Sequence, residues 1–515
     1  MRPDEELLDL IERRRSAVRA LAGWRSGAER LLDLLQLATQ IRAMEIARGV
    51  GADVPWESVL AQIITWHHEF PIGEGRCGES DARKIVVAAL EASRLDNLHD
   101  VLRGGGYGVR KRGEAFRVRL RWDPAIEAAD AFLEHAAAPV GVPVLTAAER
   151  RWVRSRPLAE RGVPPLEILQ AAAGRARCTI DVYRQALPEG NLPDSFRLDQ
   201  DLTVGDVAAV LSVVMGMASL CEAAARASKR SETTLMRMPR DQLLETIAAI
   251  VPAVPTSHID ATIERLTFQL GRSCRVSPLV KQQDFLYLCP PLITPRAIDA
   301  IVLRSSAYDP GRYGPIGQRQ GSRAVRWKEW LSRIPGALVA ERLRARRVGG
   351  QVAGDLDVVA VDPRHGQGLC LEVKWPIDAI SLPEVAKIED WVSSAAKQVN
   401  RLRTELDSGD ATVDLPKGWP AFSDVEWTWA VATPQQLCLR PPPFPEIYST
   451  SFRYVAGHGE PHALAEVIAT LKAPDLPVEG VHFTVEPLVI HLGGQRVHLD
   501  AIGLVEGSWN LTAWR

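Results

Sequence analysis

Apolar and polar positions alternate most informatively in two neighbouring stretches. Val358 to Val361 is an uninterrupted apolar run, as expected of a strand buried on both faces, and it follows Gly354-Asp-Leu-Asp357. Pro363-Arg-His-Gly-Gln-Gly368 supplies turn chemistry. Beyond it, Leu369, Leu371, Val373 and Trp375 alternate with Cys370, Glu372 and Lys374. The pattern predicts an antiparallel hairpin in which Glu372 and Lys374 share one face and Asp357 stands on the adjoining strand.

The same reading divides the rest of the chain. Leu7, Leu8, Ile11 and Val18, then Leu31, Leu32, Leu35 and Ile41, then Lys84 to Leu98, recur at helical spacing. Gly104-Gly-Gly-Tyr-Gly108 breaks the helix, and 109–122 reads as a hairpin turning near Arg112-Gly113, with Val118 and Leu120 alternating with Arg117, Arg119 and Arg121. A winged-helix-like element touching phosphates is one reading of this order; a half-buried hairpin with a solvated arginine face is the simpler one. Residues 145–250 return to helix and include the fifteen-residue apolar run Val207 to Cys221, which is too short to cross a bilayer and predicts a buried helix. Short apolar and aromatic runs between Val276 and Ile293 suggest strands, and the Gly/Pro-rich 309–322 a flexible approach.

Ala324, Trp327, Leu331 and Ile334 then predict a helix ended by Pro335-Gly336, followed by a strand from Leu338 to Arg346. After the hairpin, Val385, Ile388, Val392, Ala395, Val399 and Leu402 form the stripe of a long helix, and Val425 to Ala432 is another strand. Pro441-Pro-Pro-Phe-Pro445 is a rigid break. A short amphipathic helix from Pro461 to Lys472 and a hairpin of His482 to Leu492 with Gln495 to Leu504 follow. A two-residue Gly493-Gly494 turn sets 491 opposite 496 and 489 opposite 498, so His491 and His498 do not face each other as metal ligands. The fold expected is α/β in the C-terminal half, after a mainly α-helical N-terminal half. The divisions are 1–138 with its basic hairpin, 144–253, a mixed connection 254–322, 323–440, and a C-terminal extension 441–515.

At 515 residues the chain is too long for one core. A net charge of −2 excludes a generally basic nucleic-acid-coating protein, so any such surface must be a local patch. One candidate precedes the hairpin: between Arg323 and Arg347 stand eight basic residues against Glu329 and Glu341, net +6. Seven scattered cysteines without a Cys-x-x-Cys argue against a disulfide framework and a zinc ribbon. The charged start lacks an apolar core, so the expectation is a cytoplasmic protein with no membrane partner. His67-His68-Glu69 and His458-Gly-Glu-Pro-His462 have no metal-ligand spacing, and no P-loop is present.

A charged pair in a central strand costs about several kcal/mol unless it is partnered or bound to a cation. A divalent metal held by Asp357 and Glu372, with Lys374 beside a phosphate, would offset that cost. Asp357 followed, after fourteen residues, by Glu372-Val-Lys374 resembles the catalytic signature of the PD-(D/E)XK nuclease superfamily in its Mrr-like, restriction-endonuclease-like branch, over residues 323–440. The resemblance implies an αβββαβ core and a Mg²⁺- or Mn²⁺-dependent phosphodiesterase. Asp357, Glu372, the carbonyl of Val373 and Glu329 would be metal ligands, with Glu341 the fallback for Glu329. Lys374 and Gln398 would be catalytic, and Arg342, Arg344, Arg346 and Lys397 would contact nucleic acid. It implies a DNA endonuclease with a restriction or antiviral defence role, working as a homo-oligomer or with a partner subunit. Two features depart from relatives: Leu402 stands where a Gln-x-x-x-Tyr motif would place Tyr after Gln398, and Leu356 rather than Pro precedes Asp357. The alternatives are an RNA-cleaving nuclease and a non-catalytic binding module on the same fold.

Overall fold

The computed structural model describes all residues except 1, 21–29, 48–55, 70–77, 138–144, 156–163, 187–191, 200, 228–234, 275, 294–300, 303, 306–315, 317–323, 377–378, 380–381, 434–442, 493 and 506–515. The join between the expected divisions 1–138 and 144–253, and nearly all of the approach at 309–322, lie outside the described residues. Contacts divide the chain into two compact units that interleave in sequence. One comprises Met1–Leu8, Asp100–Ala138 and Gly317–Arg515; the other comprises Asp9–His99 and Pro139–Ile316.

The second of these is mainly helical. Its central helix, Val204–Ala227, carries Val207, Val210, Val213, Met217 and Leu220 in the core. It packs closely on the helix Leu166–Ala186: a Cβ at Gly216 would lie 2.7 Å from the backbone nitrogen of Ala173, so only glycine permits this approach. The helix extends beyond the apolar run that marks it in the sequence. Within it, Val204–Ala224 is long and apolar enough to cross a membrane, so length does not distinguish the two cases; burial does, with 78% of that window inside the unit. The strands expected after 276, Leu279–Gln282 and Phe285–Leu288, form a three-stranded sheet with Met236–Pro239, a strand within the stretch 145–250 expected to be helical.

The first unit contains two sheets and the helices that cover them. In chain order its elements are β1 (Tyr107–Arg112), β2 (Ala115–Leu120), α1 (Pro124–Ala137), α2 (Ala324–Leu331), β3 (Leu338–Arg347), β4 (Val352–Asp362), β5 (Gln367–Val373), α3 (Leu382–Asp407), β6 (Ala411–Val413), β7 (Glu426–Thr433), β8 (Ile447–Ser451), α4 (Phe452–Gly457), α5 (Leu464–Lys472), β9 (Phe483–Leu492) and β10 (Gln495–Leu504). The larger sheet has six strands in the order β6-β3-β4-β5-β7-β8. β3, β4 and β5 form an antiparallel meander, whereas β7 runs parallel to β5 and β8 parallel to β7. Parallel pairing of β5 with β7 requires a crossover, and the chain makes it through α3.

Both faces of this sheet are covered, which explains the continuous apolar run of β4. Val358, Ala360, Leu369, Leu371 and Val373 join Trp327, Trp330 and Leu331 of α2, Ala129 and Leu133 of α1, and residues of α4 and α5 on one face. Val359, Val361 and Cys370 meet Ile388, Val392, Val399 and Leu402 of α3 on the other. The turn into β5 depends on Gly366, with φ 62°, and on Gly368, where a Cβ would sit 2.4 Å from the Trp427 ring.

The smaller sheet differs from the sequential division. The basic hairpin β1-β2 does not stay with the N-terminal helices. β10 pairs parallel with β2, giving the order β1-β2-β10-β9. The arginine alternation of β2 is that of a half-buried hairpin: Phe116 and Val118 are buried while Arg117 and Arg119 are exposed. In the β9-β10 hairpin, Val489 pairs with His498 and His491 with Arg496, as the turn arithmetic requires.

Candidate active site

β4 and β5 pair from Asp362 opposite Gln367 to Val358 opposite Leu371. One further step in this register sets Glu372 level with Asp357 at the end of the ladder. There the Val373 N–H donates to Asp357 Oδ2 at 2.8 Å, and Lys374 Nζ donates to Glu372 Oε1 at 2.6 Å. The Lys374 N–H is held by the Ala432 carbonyl of β7 at 2.8 Å, so the strand end is fixed from both sides. Glu372 is 8% exposed, whereas the Lys374 side chain is one-third open to solvent. The hairpin thus brings together the three residues expected from sequence.

Burial pushes the Asp357 carboxyl above the usual range; the Val373 N–H, Lys374 and Arg342 oppose that shift and Asp355 adds to it. Glu372 is raised by burial first and by the Asp357 charge second, against the pull of Lys374. Asp355 raises Glu372 as well, so this exposed residue belongs to the electrostatics of the pair. Arg342 is another group whose place the sequence did not reveal. It stands between the Glu341–Val358 and Leu343–Leu356 pairs with φ 54°, a strained value for arginine, and its charge acts on Asp357.

Gln398 of α3 lines a crevice with Glu372, Cys370, Leu356, Val399 and Leu402. Leu402, where a tyrosine would stand in the Gln-x-x-x-Tyr motif, is buried against the small Gly354, its methyl 3.4 Å from the position of a Cβ there. Lys397 is exposed on the same helix.

The remaining expected residues are not gathered here. Glu329 is exposed on α2, whose tryptophans pack on the sheet face opposite the α3 crevice. Glu341 turns one oxygen toward Lys328 at 3.6 Å and keeps Oε2 buried without a hydrogen bond. The basic patch is largely neutralised. Arg346 pairs with Asp414 at 3.0 Å, Arg347 holds Glu405 at 2.9 and 2.8 Å, and Arg333 reaches Glu460 at 2.8 Å. Arg344 is exposed on β3 opposite Asp355.

Among the described residues, no group of three or more His, Cys, Asp or Glu side chains gathers in metal-binding geometry. The donor set is therefore two carboxylates whose ionised forms are disfavoured by burial, that of Glu372 also by the Asp357 charge. Such a pair fits Mg²⁺, which binds through one or two carboxylates and keeps several waters. No protein-family model, curated protein or solved structure matches the chain.

The raised pair makes a stability prediction. Because both acids hold protons more tightly folded than unfolded, they favour the folded state fully below the ordinary values of 3.8 and 4.5, and that contribution is lost as pH rises through the raised values. In EDTA at pH 8, Glu372→Gln should therefore melt at a higher temperature than wild type, by about 1 kcal/mol of stability. The gap should close toward pH 4, and added Mg²⁺ should stabilise only the wild type. Thermal melts across pH with and without cation measure this; a wild type at least as stable as the variant at pH 8 in EDTA would contradict it.

Proposed function

We propose that the unit containing Gly317–Arg515 is a metal-dependent nuclease that hydrolyses phosphodiester bonds, with DNA its substrate, in a restriction or antiviral role. The observation that carries this reading is the convergence, at the end of one strand pair, of a hydrogen-bonded Asp357, a buried Glu372 and a half-exposed Lys374. The α-β-β-β-α-β order, with the last strand parallel to the third, supports it as the arrangement that the PD-(D/E)XK resemblance implies.

Asp357 and Glu372 would hold Mg²⁺ or Mn²⁺, with the Val373 carbonyl as the implied backbone ligand. When bound, the cation supplies an activated water and neutralises charge on the phosphate. Asp357 is kept aimed by the Val373 N–H, so its second oxygen is the one available to a ligand. The Lys374 ammonium, now on Glu372, lies at the open side of the site and is placed to donate to a phosphoryl oxygen as negative charge develops. Gln398 lines the same crevice as Glu372, and its amide would orient that carboxyl or the attacking water.

Purified protein incubated with supercoiled plasmid and Mg²⁺ or Mn²⁺ should nick or linearise it, and EDTA should stop the reaction. Identical product patterns with and without cation, across duplex DNA, single-stranded DNA and RNA, would remove the proposal.

A further inference from the structure

The smaller sheet carries chemistry that the candidate active site does not use. Its two hairpins are far apart in sequence, and their pairing lines up rows of side chains: Arg110, Arg117 and His498 in one, Arg112, Ala115, Arg496 and His491 in the next. Gly108 stands opposite Arg119, and the missing side chain makes room for Arg121, whose Nε lies 3.1 Å from where a Gly108 Cβ would be. Arg110, Arg112, Arg117, Arg119, Arg121 and Arg496 are all exposed, and among the described residues none of them makes a side-chain ion pair.

Like charges directly opposite one another in a sheet are destabilising. Elsewhere in this unit such charges are neutralised, as Arg346 is by Asp414 and Arg347 by Glu405. Glu114, Glu486 and Asp500 lie on these strands and their first turn, Asp123 follows β2, and Glu6 pairs with Lys111 of β1; none of them forms an ion pair with this arginine cluster. The opposite face is the apolar one, with Phe116, Val118 and Val497 buried and α1 packed against β9 and β10. α1 also sends Ala129 and Leu133 into the core of the six-stranded sheet, so one helix ties the arginine face to the scaffold of Asp357 and Glu372.

We infer that this arginine face is a docking surface for the phosphate backbone of a nucleic-acid duplex. Charge complementarity carries the assignment: duplex DNA presents one negative charge per about 1.7 Å of axis, which an array of unpaired guanidinium groups neutralises without regard to sequence. Among the described residues no Phe, Tyr or Trp is exposed between the arginines to stack unpaired bases, which favours a duplex over a single strand. As a route for substrate this rests on the nuclease proposal; as a binding surface it stands without it.

The test is fluorescence anisotropy in EDTA with labelled DNA duplex, RNA duplex and single-stranded DNA of equal length, using full-length Asp357→Asn protein so that nothing is cut. Combining R117A, R119A and R496A should weaken duplex binding about tenfold or more at 0.1 M salt and flatten the salt dependence by about 2 to 3 in log–log slope. A matched triple change in the other unit, R13A, R83A and K84A, should alter neither, and circular dichroism checks that both variants fold. Unchanged affinity and slope in the first triple variant, or tighter binding of the single strand through the same arginines, would overturn the inference. Duplex binding lost in that variant, from a wild type that cuts nothing with any cation, would sink the nuclease proposal and leave this one standing.

Discussion

If the proposed nuclease activity holds, Asp357→Asn is expected to abolish cation-dependent cleavage, lowering the rate by at least about 10²- to 10³-fold, the scale of losing one preorganised charge-stabilising group. The substitution separates chemistry from folding. The asparagine oxygen still accepts from the Val373 N–H, so the end of the strand pair stays closed, whereas the charge that would hold a cation is gone. Asp357 ionises against its burial, so the neutral isostere also relieves that cost and the variant folds at least as well as wild type. Plasmid cleavage and a thermal melt on the same preparation decide it. An active Asn variant would remove Asp357 from the chemistry, and an inactive but unfolded one would show that the residue is structural.

Trp327→Ala destabilises the first unit by about 3–5 kcal/mol, the range for truncating a buried aromatic. Trp327 is fully buried and meets Phe452 of α4 edge to face at 4.9 Å between ring centres and Trp330 at 6.0 Å. These contacts join α2 and α4 to the sheet face formed by Val358, Ala360, Leu369 and Leu371, so the cavity would open beneath the strands that carry Asp357 and Glu372. The ring nitrogen is buried without a hydrogen-bond partner, so Trp327→Phe, which keeps an aromatic ring and removes that donor, should cost less than about 1.5 kcal/mol. Denaturant unfolding of the two variants reads the difference directly. Equal losses for Ala and Phe would mean that the indole shape, rather than ring packing in general, supports the core.

Much of the candidate site was legible in the sequence because it is local. The turn between Pro363 and Gly368 closes a hairpin and a period of two puts Glu372 and Lys374 on one face, while the observed pairing of Gln367 with Asp362 sets Glu372 level with Asp357. Gln398 followed from the helical stripe of α3, whose next turn buries Leu402. Glu329 and the basic patch did not follow. A position on a helix or strand gives a direction only once the packed face is known, and α2 turns its tryptophans, not Glu329, to the sheet. The arginines near β3 look free in sequence, yet their acids come from residues as distant as Glu405 and Asp414. Arg342 was placed beside Asp357 by its φ of 54°, which no pattern of residue types announces.

By itself, the sequence determined the elements with strong periodicity, the register of the C-terminal hairpin and the shared face of Glu372 and Lys374 on the strand beside Asp357. These depend on neighbours in the chain and on turns that allow one closure. Only the tertiary structure decided that the basic hairpin joins the C-terminal hairpin through β2 and β10, that the apolar helix Val204–Ala227 is buried within its unit, and which cations are already paired. The physical reason is common to all three. Backbone donors at a strand edge, an apolar helix surface and a guanidinium group accept any suitable partner, so the partner is chosen by which surfaces the folded chain brings together.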